Sequence, residues 1–134
     1  MRALSIDPGA KRLGLAVGDD HSGIVTPLEV VPYRGCEKTV RAIAELLRRH
    51  AAEIVVIGLP TNADGEETPA CARSHALERA FAEAGIDVAL QPEFLSSNEA
   101  RRRARIAGRK PGDPIDDLAA CVILEDFFAA GVGS

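Results

Sequence analysis

The feature that most limits the possible folds is an apolar run in the middle of the chain, Glu53 to Leu59 (EIVVIGL). A nearly continuous β-branched segment of this length is typical of a strand covered on both faces, as in parallel sheets flanked by helices. Two earlier runs, Arg2 to Asp7 (RALSID) and Leu13 to Gly18 (LGLAVG), are joined by a turn that contains proline and glycine. They predict an antiparallel pair of strands.

The remaining periodic segments complete an α/β pattern. They predict a strand at about Val25 to Val31, a helix over Glu37 to His50, a helix capped by Thr68-Pro69 that ends near Ala84, a fifth strand over Ile86 to Leu90, a helix from Ser96 to near Gly108, and a last helix capped by Asp113-Pro114 that ends near Ala130. Three strands followed by helix–strand crossovers predict a five-stranded mixed sheet, an antiparallel meander plus parallel strands, with helices on both faces. We expect one domain over residues 1–134.

Composition excludes several protein classes. The chain is 46% hydrophobic and 27% charged, which is typical of a globular protein, and no apolar run reaches the roughly 20 residues of a membrane helix. Because Met1-Arg2 leads directly into a strand-like segment, we expect no signal peptide and a cytoplasmic location. The three cysteines are widely spaced with no CxxC pair, which argues against a zinc site or a disulfide framework.

Charge distribution is more informative than the net charge of −4. The stretch from Arg101 to Lys110 contains six basic residues and no acid, and Lys11 and Arg12 add two more cations after the first strand. Such a block is either a solvated helix face or a surface that follows nucleic-acid phosphates. The candidate nucleic-acid-binding residues are Lys11, Arg12, Arg101, Arg102, Arg105, Arg109 and Lys110.

Two candidate acids follow strands. Asp7 ends the first strand and precedes Pro8-Gly9, so it is either an ordinary turn residue or a carboxylate at the sheet edge where α/β proteins bind ligands. Glu93 is expected in the loop just past the fifth strand. Glu99 has a structural explanation, because Ser96 and Glu99 have the spacing of a capping box. We therefore keep Asp7 and Glu93 as chemical candidates.

Asp116 and Asp117 lie in the first turn of the last predicted helix. Acids there favour the helix dipole, but both also project within roughly 40–60° of the helix's apolar stripe and so point inward. Carboxylates that converge in a core repel one another unless a cation neutralises them. Oxygen ligands favour Mg²⁺ or Mn²⁺. We expect metal ligands at Asp7, Glu93, Asp116 and Asp117, in a two-metal site suited to phosphodiester hydrolysis.

The segment Asp7 to Asp19 (DPGAKRLGLAVGD) resembles the opening motif of the YqgF (RuvX) family of Holliday junction resolvases and pre-ribosomal-RNA nucleases. Gly58-Leu59-Pro60 with Gly65, Glu93 with Leu95-Ser96 and Glu99-Ala100, and Ile115-Asp116 with Ala119-Ala120 resemble its later motifs, in order. The resemblance implies an RNase H-like fold, two-metal catalysis by Asp7, Glu93 and Asp116, 5′-phosphate products, and processing of the 16S rRNA precursor at its 5′ side. One position departs from the family pattern, because Phe94 stands where arginine is usual.

Two alternative functions stay open at this point. A non-catalytic nucleic-acid-binding or ribosome-assembly module would keep the same fold, and Phe94 is the residue that leaves it possible. An ATP-dependent phosphotransferase would need a second domain that 134 residues cannot supply. The expected partner is structured RNA precursor or branched DNA, recognised by backbone or shape because aromatic residues are only 4%. We expect no membrane partner and either a monomer or a homodimer.

Overall fold

The computed structural model describes residues 1–94 and 96–131, apart from the side chains of Ser96 and Ser97. The elements, in chain order, are β1 (Arg2–Pro8), β2 (Arg12–Asp19), β3 (Val25–Pro32), α1 (Cys36–Arg49), β4 (Ile54–Pro60), α2 (Cys71–Glu83), β5 (Val88–Glu93), α3 (Ser96–Ile106) and α4 (Asp116–Ala129). None of the helices within the described ranges is long and apolar enough to cross a membrane.

The strands form one five-stranded sheet in the order β3-β2-β1-β4-β5. The β1–β2 and β2–β3 pairs are antiparallel, whereas β4 runs parallel to both β1 and β5. The mixed sheet predicted from the sequence is therefore confirmed. Because β1, β4 and β5 are parallel, their carboxyl ends meet at one edge, and this edge carries Asp7 and Glu93.

Helices cover both faces of the sheet, as predicted. Leu4 and Ile6 of β1 pack on the same core as Ile43 of α1 and Leu77 and Phe81 of α2. Alternate residues of a strand point to opposite faces. Ala3 accordingly packs on the other face with Ile123, Leu124 and Phe127 of α4. Asp7 shares the parity of Ala3 and so lies on the α4 face of the sheet.

Two glycines allow α4 to lie close against the strands. A Cβ at Gly14 of β2 would overlap the backbone carbonyl of Asp116, and one at Gly58 of β4 would lie 2.5 Å from Cδ1 of Ile123. Between these points, Ser5 Oγ donates a hydrogen bond to the carbonyl oxygen of Ala120 over 2.6 Å. Because Gly14 has no side chain, the start of α4 can pack directly against β2.

Two predicted helix caps are wrong. Thr68 Oγ1 donates to the carbonyl oxygen of Pro60 over 2.7 Å, and α2 begins at Cys71 without a side-chain cap. Asp113 Oδ2 accepts from the Lys110 backbone N–H over 2.8 Å, while the N-cap residue of α4 is Ile115. In both cases the polar side chain bonds a backbone group that precedes the helix, and no side chain caps the first turn of the helix.

The expected position of Glu93 also needs correction, since β5 extends through Glu93 itself. The expected capping box at Ser96 involves a side chain outside the described residues. Glu99, its other member, accepts hydrogen bonds from Arg102 and Arg103. These contacts lower the pKa of Glu99 to about 2, and they agree with a structural role for this carboxylate.

Candidate active site

Asp7 is the acid nearest the centre of the sheet edge. It pairs in register with Gly14 of β2, and Gly14 is the residue against which the backbone of Asp116 packs. This contact brings the start of α4 beside the end of β1. Burial, and then the charge of Asp116, raise the pKa of Asp7 to about 7. The two carboxylates thus interact although 109 positions separate them in the chain.

Glu93 is the last residue of β5 and lies opposite Pro60 of β4 in the parallel register. It is only 7% exposed, and its buried Oε1 has no hydrogen-bond partner among the described residues. Burial raises the pKa of Glu93 to about 8, with further contributions from the Asp126 carboxyl group and from Asp7. A buried oxygen without a donor is costly, so this side chain is suited to binding a cation.

Asp116 carries its own counter-ion. Nε of Arg12 lies 3.2 Å from Oδ1 and 3.1 Å from Oδ2 of Asp116. The Asp116 side chain is 14% exposed, whereas that of Arg12 is 52% exposed. Arg12 therefore reaches from solvent onto the candidate site and balances the charge of Asp116.

Asp117 has a different environment from its neighbour. Both of its carboxylate oxygens accept hydrogen bonds from Arg109, at 2.8 and 2.9 Å. The Arg109 guanidinium lowers the pKa of Asp117 against the opposing effect of burial. Metal ligation by Asp117 would require both bonds from the partly buried Arg109 to break, whereas Asp116 would release only the more exposed Arg12. The geometry thus favours a structural role for Asp117, and its metal ligation stays a prediction.

The candidate acids fit a divalent ion by charge and ligand type, although they are not arranged as a closed site. Within the described ranges, no three His, Cys, Asp or Glu side chains are grouped closely enough to hold an ion as they stand. The charges nevertheless fit one, because Asp7 interacts with both Asp116 and Glu93 and all the donor atoms are carboxylate oxygens. The unpartnered Oε1 of Glu93 is a further free ligand atom.

The basic block divides into paired and unpaired side chains. Arg102 bonds Glu99, Arg103 bonds Glu99 and Glu125, Arg101 bonds Asn98, and Arg109 bonds Asp117. The exposed side chains of Lys11, Arg105 and Lys110 have no hydrogen-bond or ion-pair partner in the part of the chain that is described. Helix α3 packs on α4 through Ala100, Ala104, Leu118 and Ala119, which holds Arg105 on the α4 side of the molecule.

Sequence reasoning missed two residues beside the candidate acids. Asp126 lies two to three turns after Asp116 in α4 and interacts with Glu93. Arg73 of α2 donates from Nη1 to the carbonyl oxygen of Gly9 over 3.0 Å. Neither residue belongs to a local motif, and both contacts join segments far apart in the chain, so no sequence signal could have identified them.

Known proteins of similar sequence match nearly the whole chain. A protein of Anaeromyxobacter dehalogenans named "Putative pre-16S rRNA nuclease" is 40% identical over 132 residues, covering 95% of this chain and 96% of its own. A protein of the same name from Thermus thermophilus is 30% identical over 135 residues, covering 98% of this chain and 100% of its own.

Solved structures give the same fold. Thermus thermophilus RuvC in complex with Holliday junction substrate superposes with a TM-score of 0.60 at 22% identity, covering 99% of this chain and 97% of RuvC. The Fowlpox virus resolvase in its complex with Holliday junction DNA gives a TM-score of 0.54 at 15% identity, covering 97% and 98%. The fold is thus RNase H-like, as expected.

A family model decides the classification. The model for RuvX, described as Holliday junction resolvase, matches residues 1–130. This range includes all the candidate acids and basic residues named above. The chain belongs to the RuvX family.

Proposed function

We propose that this chain is a nuclease that hydrolyses phosphodiester bonds of nucleic acid, with Asp7, Glu93 and Asp116 as its catalytic carboxylates. The observation that carries the assignment is the environment of Asp7, a buried acid that faces a second carboxylate at the carboxyl edge of the sheet. Such an arrangement is costly in the free protein and becomes favourable when cations bind. Membership of the RuvX family supports the reaction class.

Mg²⁺ or Mn²⁺ is the proposed cofactor, bound by Asp7, Glu93 and Asp116. Bound divalent ions would supply an activated water and charge stabilisation for the leaving oxygen, giving 5′-phosphate and 3′-hydroxyl ends. The protein's own contribution is positional. Gly14 places Asp116 beside Asp7, and the exposed Arg12 can exchange its bond to Asp116 for one to a substrate phosphate.

The proposed substrate is the 5′ side of the 16S rRNA precursor in the cytoplasm, which is consistent with the names of the relatives. Branched DNA is the second candidate, since the family is described as Holliday junction resolvase. Lys11, Arg12, Arg101, Arg105 and Lys110 would contact the phosphates of either substrate. Arg102 and Arg109 already hold acids and would contribute less. The proposed assembly is a monomer or a homodimer.

A cleavage panel tests the proposal. Precursor RNA, four-way DNA junction and single strands are incubated with Mg²⁺ or Mn²⁺ and either the wild type, Asp7→Asn, or the matched control Asp87→Asn at an exposed position. We expect cleavage by the wild type and the control, and none by Asp7→Asn although it folds. Full activity of Asp7→Asn would contradict the assignment. Binding without cleavage by the wild type would instead identify a non-catalytic module.

A further inference from the structure

A cleft of about 420 Å³ lies beside the candidate active site, between the β1–β2 turn and the start of α2. Pro8 and Gly9 line one side, and Ala72, Arg73 and Ala76 line the other. Its volume is within the range of pockets that hold small organic ligands. The cleft lies on the α2 side of the β1–β2 turn, whereas the Asp7 side chain faces α4. The turn joins the two, because Gly9 lines the cleft and a Cβ built on Gly9 would lie 3.8 Å from Oδ2 of Asp116.

Arg73 is the charged residue of this cleft, and its position is fixed from two sides. Its Nη1 donates to the carbonyl oxygen of Gly9 over 3.0 Å. Its guanidinium carbon lies 3.5 Å from the centre of the Tyr33 ring. Tyr33 is itself tied to the same turn, because its backbone N–H donates to the carbonyl oxygen of Lys11 over 2.9 Å. The guanidinium is therefore held in place before any ligand arrives.

Arg73 also has unused hydrogen-bonding capacity. A guanidinium has five N–H donors, and Arg73 makes one hydrogen bond to the described residues. Among the residues that the structure describes, no acidic side chain lines the cleft to neutralise it. A fixed, unneutralised guanidinium is suited to bind a phosphate through two parallel hydrogen bonds.

The rest of the cleft wall is apolar and small. Alanine methyl groups and proline ring atoms provide no hydrogen-bond donor or acceptor of their own. Such a wall accepts the flat face of a base and the carbon atoms of a sugar without leaving a buried polar group unpaired. The combination of one phosphate-binding cation with a smooth apolar wall matches a nucleotide.

We propose that this cleft is a binding subsite for an unpaired nucleotide of the substrate strand next to the scissile phosphate. The subsite rests on the proposed nuclease function, because that function places the scissile phosphate at Asp7. Arg73 binds the phosphate of the flanking nucleotide, and the alanine wall accepts its sugar and base. A base inside a duplex cannot enter the cleft. The subsite therefore favours substrates with an unpaired nucleotide beside the cut.

The first test narrows the cleft without changing Arg73. Ala72 is exposed, so Ala72→Leu fills the cleft and leaves the core intact. Ala82→Leu is the matched control, because Ala82 is an exposed alanine of the same helix, about 15 Å further along its axis. The substrates are a short oligoribonucleotide with an unpaired nucleotide at the cut and bis(p-nitrophenyl) phosphate, which has no flanking nucleotide.

We expect Ala72→Leu to lower kcat/KM for the oligoribonucleotide about tenfold more than for bis(p-nitrophenyl) phosphate, chiefly through KM. Ala82→Leu should match the wild type on both substrates. Equal effects of Ala72→Leu on the two substrates, or none, would overturn the subsite. This result would leave the nuclease assignment intact, since the wild type would still cleave.

A binding measurement covers the case in which nothing is cleaved. Fluorescence anisotropy of the labelled oligoribonucleotide gives the dissociation constant at several salt concentrations. We expect Ala72→Leu to weaken binding and Arg73→Gln to lower the salt slope by about one phosphate contact. Such results without cleavage would refute the nuclease and, with it, a subsite beside a cut, and would leave only a nucleotide-binding cleft. An unchanged slope and affinity in both variants would refute the subsite.

Discussion

Replacing Asp7 with asparagine should make the protein more stable in the absence of divalent metal. The carboxylate of Asp7 is buried and faces Asp116, and these two effects raise its pKa to about 7 from an ordinary value of 3.8. Asparagine keeps the shape of the side chain but carries no charge. The substitution therefore removes the repulsion together with the proposed catalytic function.

The size of the effect follows from proton linkage. In the pH range between 3.8 and about 7 the folded protein binds more protons than the unfolded chain, so the stability of the wild type falls as the pH rises through this window. At about 1.4 kcal/mol for each pH unit, the full cost above neutral pH is about 4 kcal/mol. Asp7→Asn should recover a large part of this free energy of unfolding, which corresponds to a rise in Tm on the order of 10 °C.

Thermal or urea unfolding in EDTA from about pH 4 to pH 8 measures this difference. The advantage of Asp7→Asn should be largest at the alkaline end and vanish toward the acid end. Asp87→Asn, at an exposed position, should show no such trend. Adding Mn²⁺ should raise the Tm of the wild type and not that of Asp7→Asn. A variant no more stable than the wild type at about pH 8, or a gain independent of pH, would refute the reasoning.

Two further substitutions test how the site is assembled. Gly14→Ala places a methyl group where the Asp116 carbonyl lies. The resulting overpacking should lower the free energy of unfolding, measured in urea, by about 1–3 kcal/mol, and it should abolish cleavage. Retention of both stability and activity would contradict the close docking of α4. Asp117→Asn breaks the ion pair with Arg109 and should lower the free energy of unfolding by about 1–3 kcal/mol. The affinity for Mn²⁺, measured by calorimetry, should be retained. Loss of this affinity at unchanged stability would show that Asp117 is a metal ligand.

The fold was predictable because its periodic patterns are strong. The buried run of β4 and the long apolar stretch of α4, which is buried at every position from Asp117 to Leu124, each indicate one kind of element in one kind of environment. The extent of β5 was missed because it is an edge strand, where Gln91 and Pro92 interrupt the apolar pattern and proline is tolerated. The caps were missed because Thr68 and Asp113 have other loop groups within reach.

The candidate site was predictable only in part. The direction of Asp116 follows from helical periodicity, and Asp7 follows from its place at a strand end. The same periodicity turns Asp117 inward too, and the two acids differ only in their three-dimensional contacts, with the partly buried Arg109 on Asp117 and the exposed Arg12 on Asp116. The bonds of Arg12 to Asp116 and of Arg73 to Gly9 join residues 104 and 64 positions apart, and no local pattern encodes such pairs.

The docking of α4 also determines when the proposed catalytic set can assemble. During synthesis β1, β2 and β4 emerge early, and the sheet edge with Asp7 can form around α1 and α2. Asp116 reaches this edge only when the last helix, with its Ile123 anchor over Gly58, has been made and has packed. A partly synthesised chain would thus display Asp7 without Asp116, and the proposed catalytic set would be incomplete until α4 has packed.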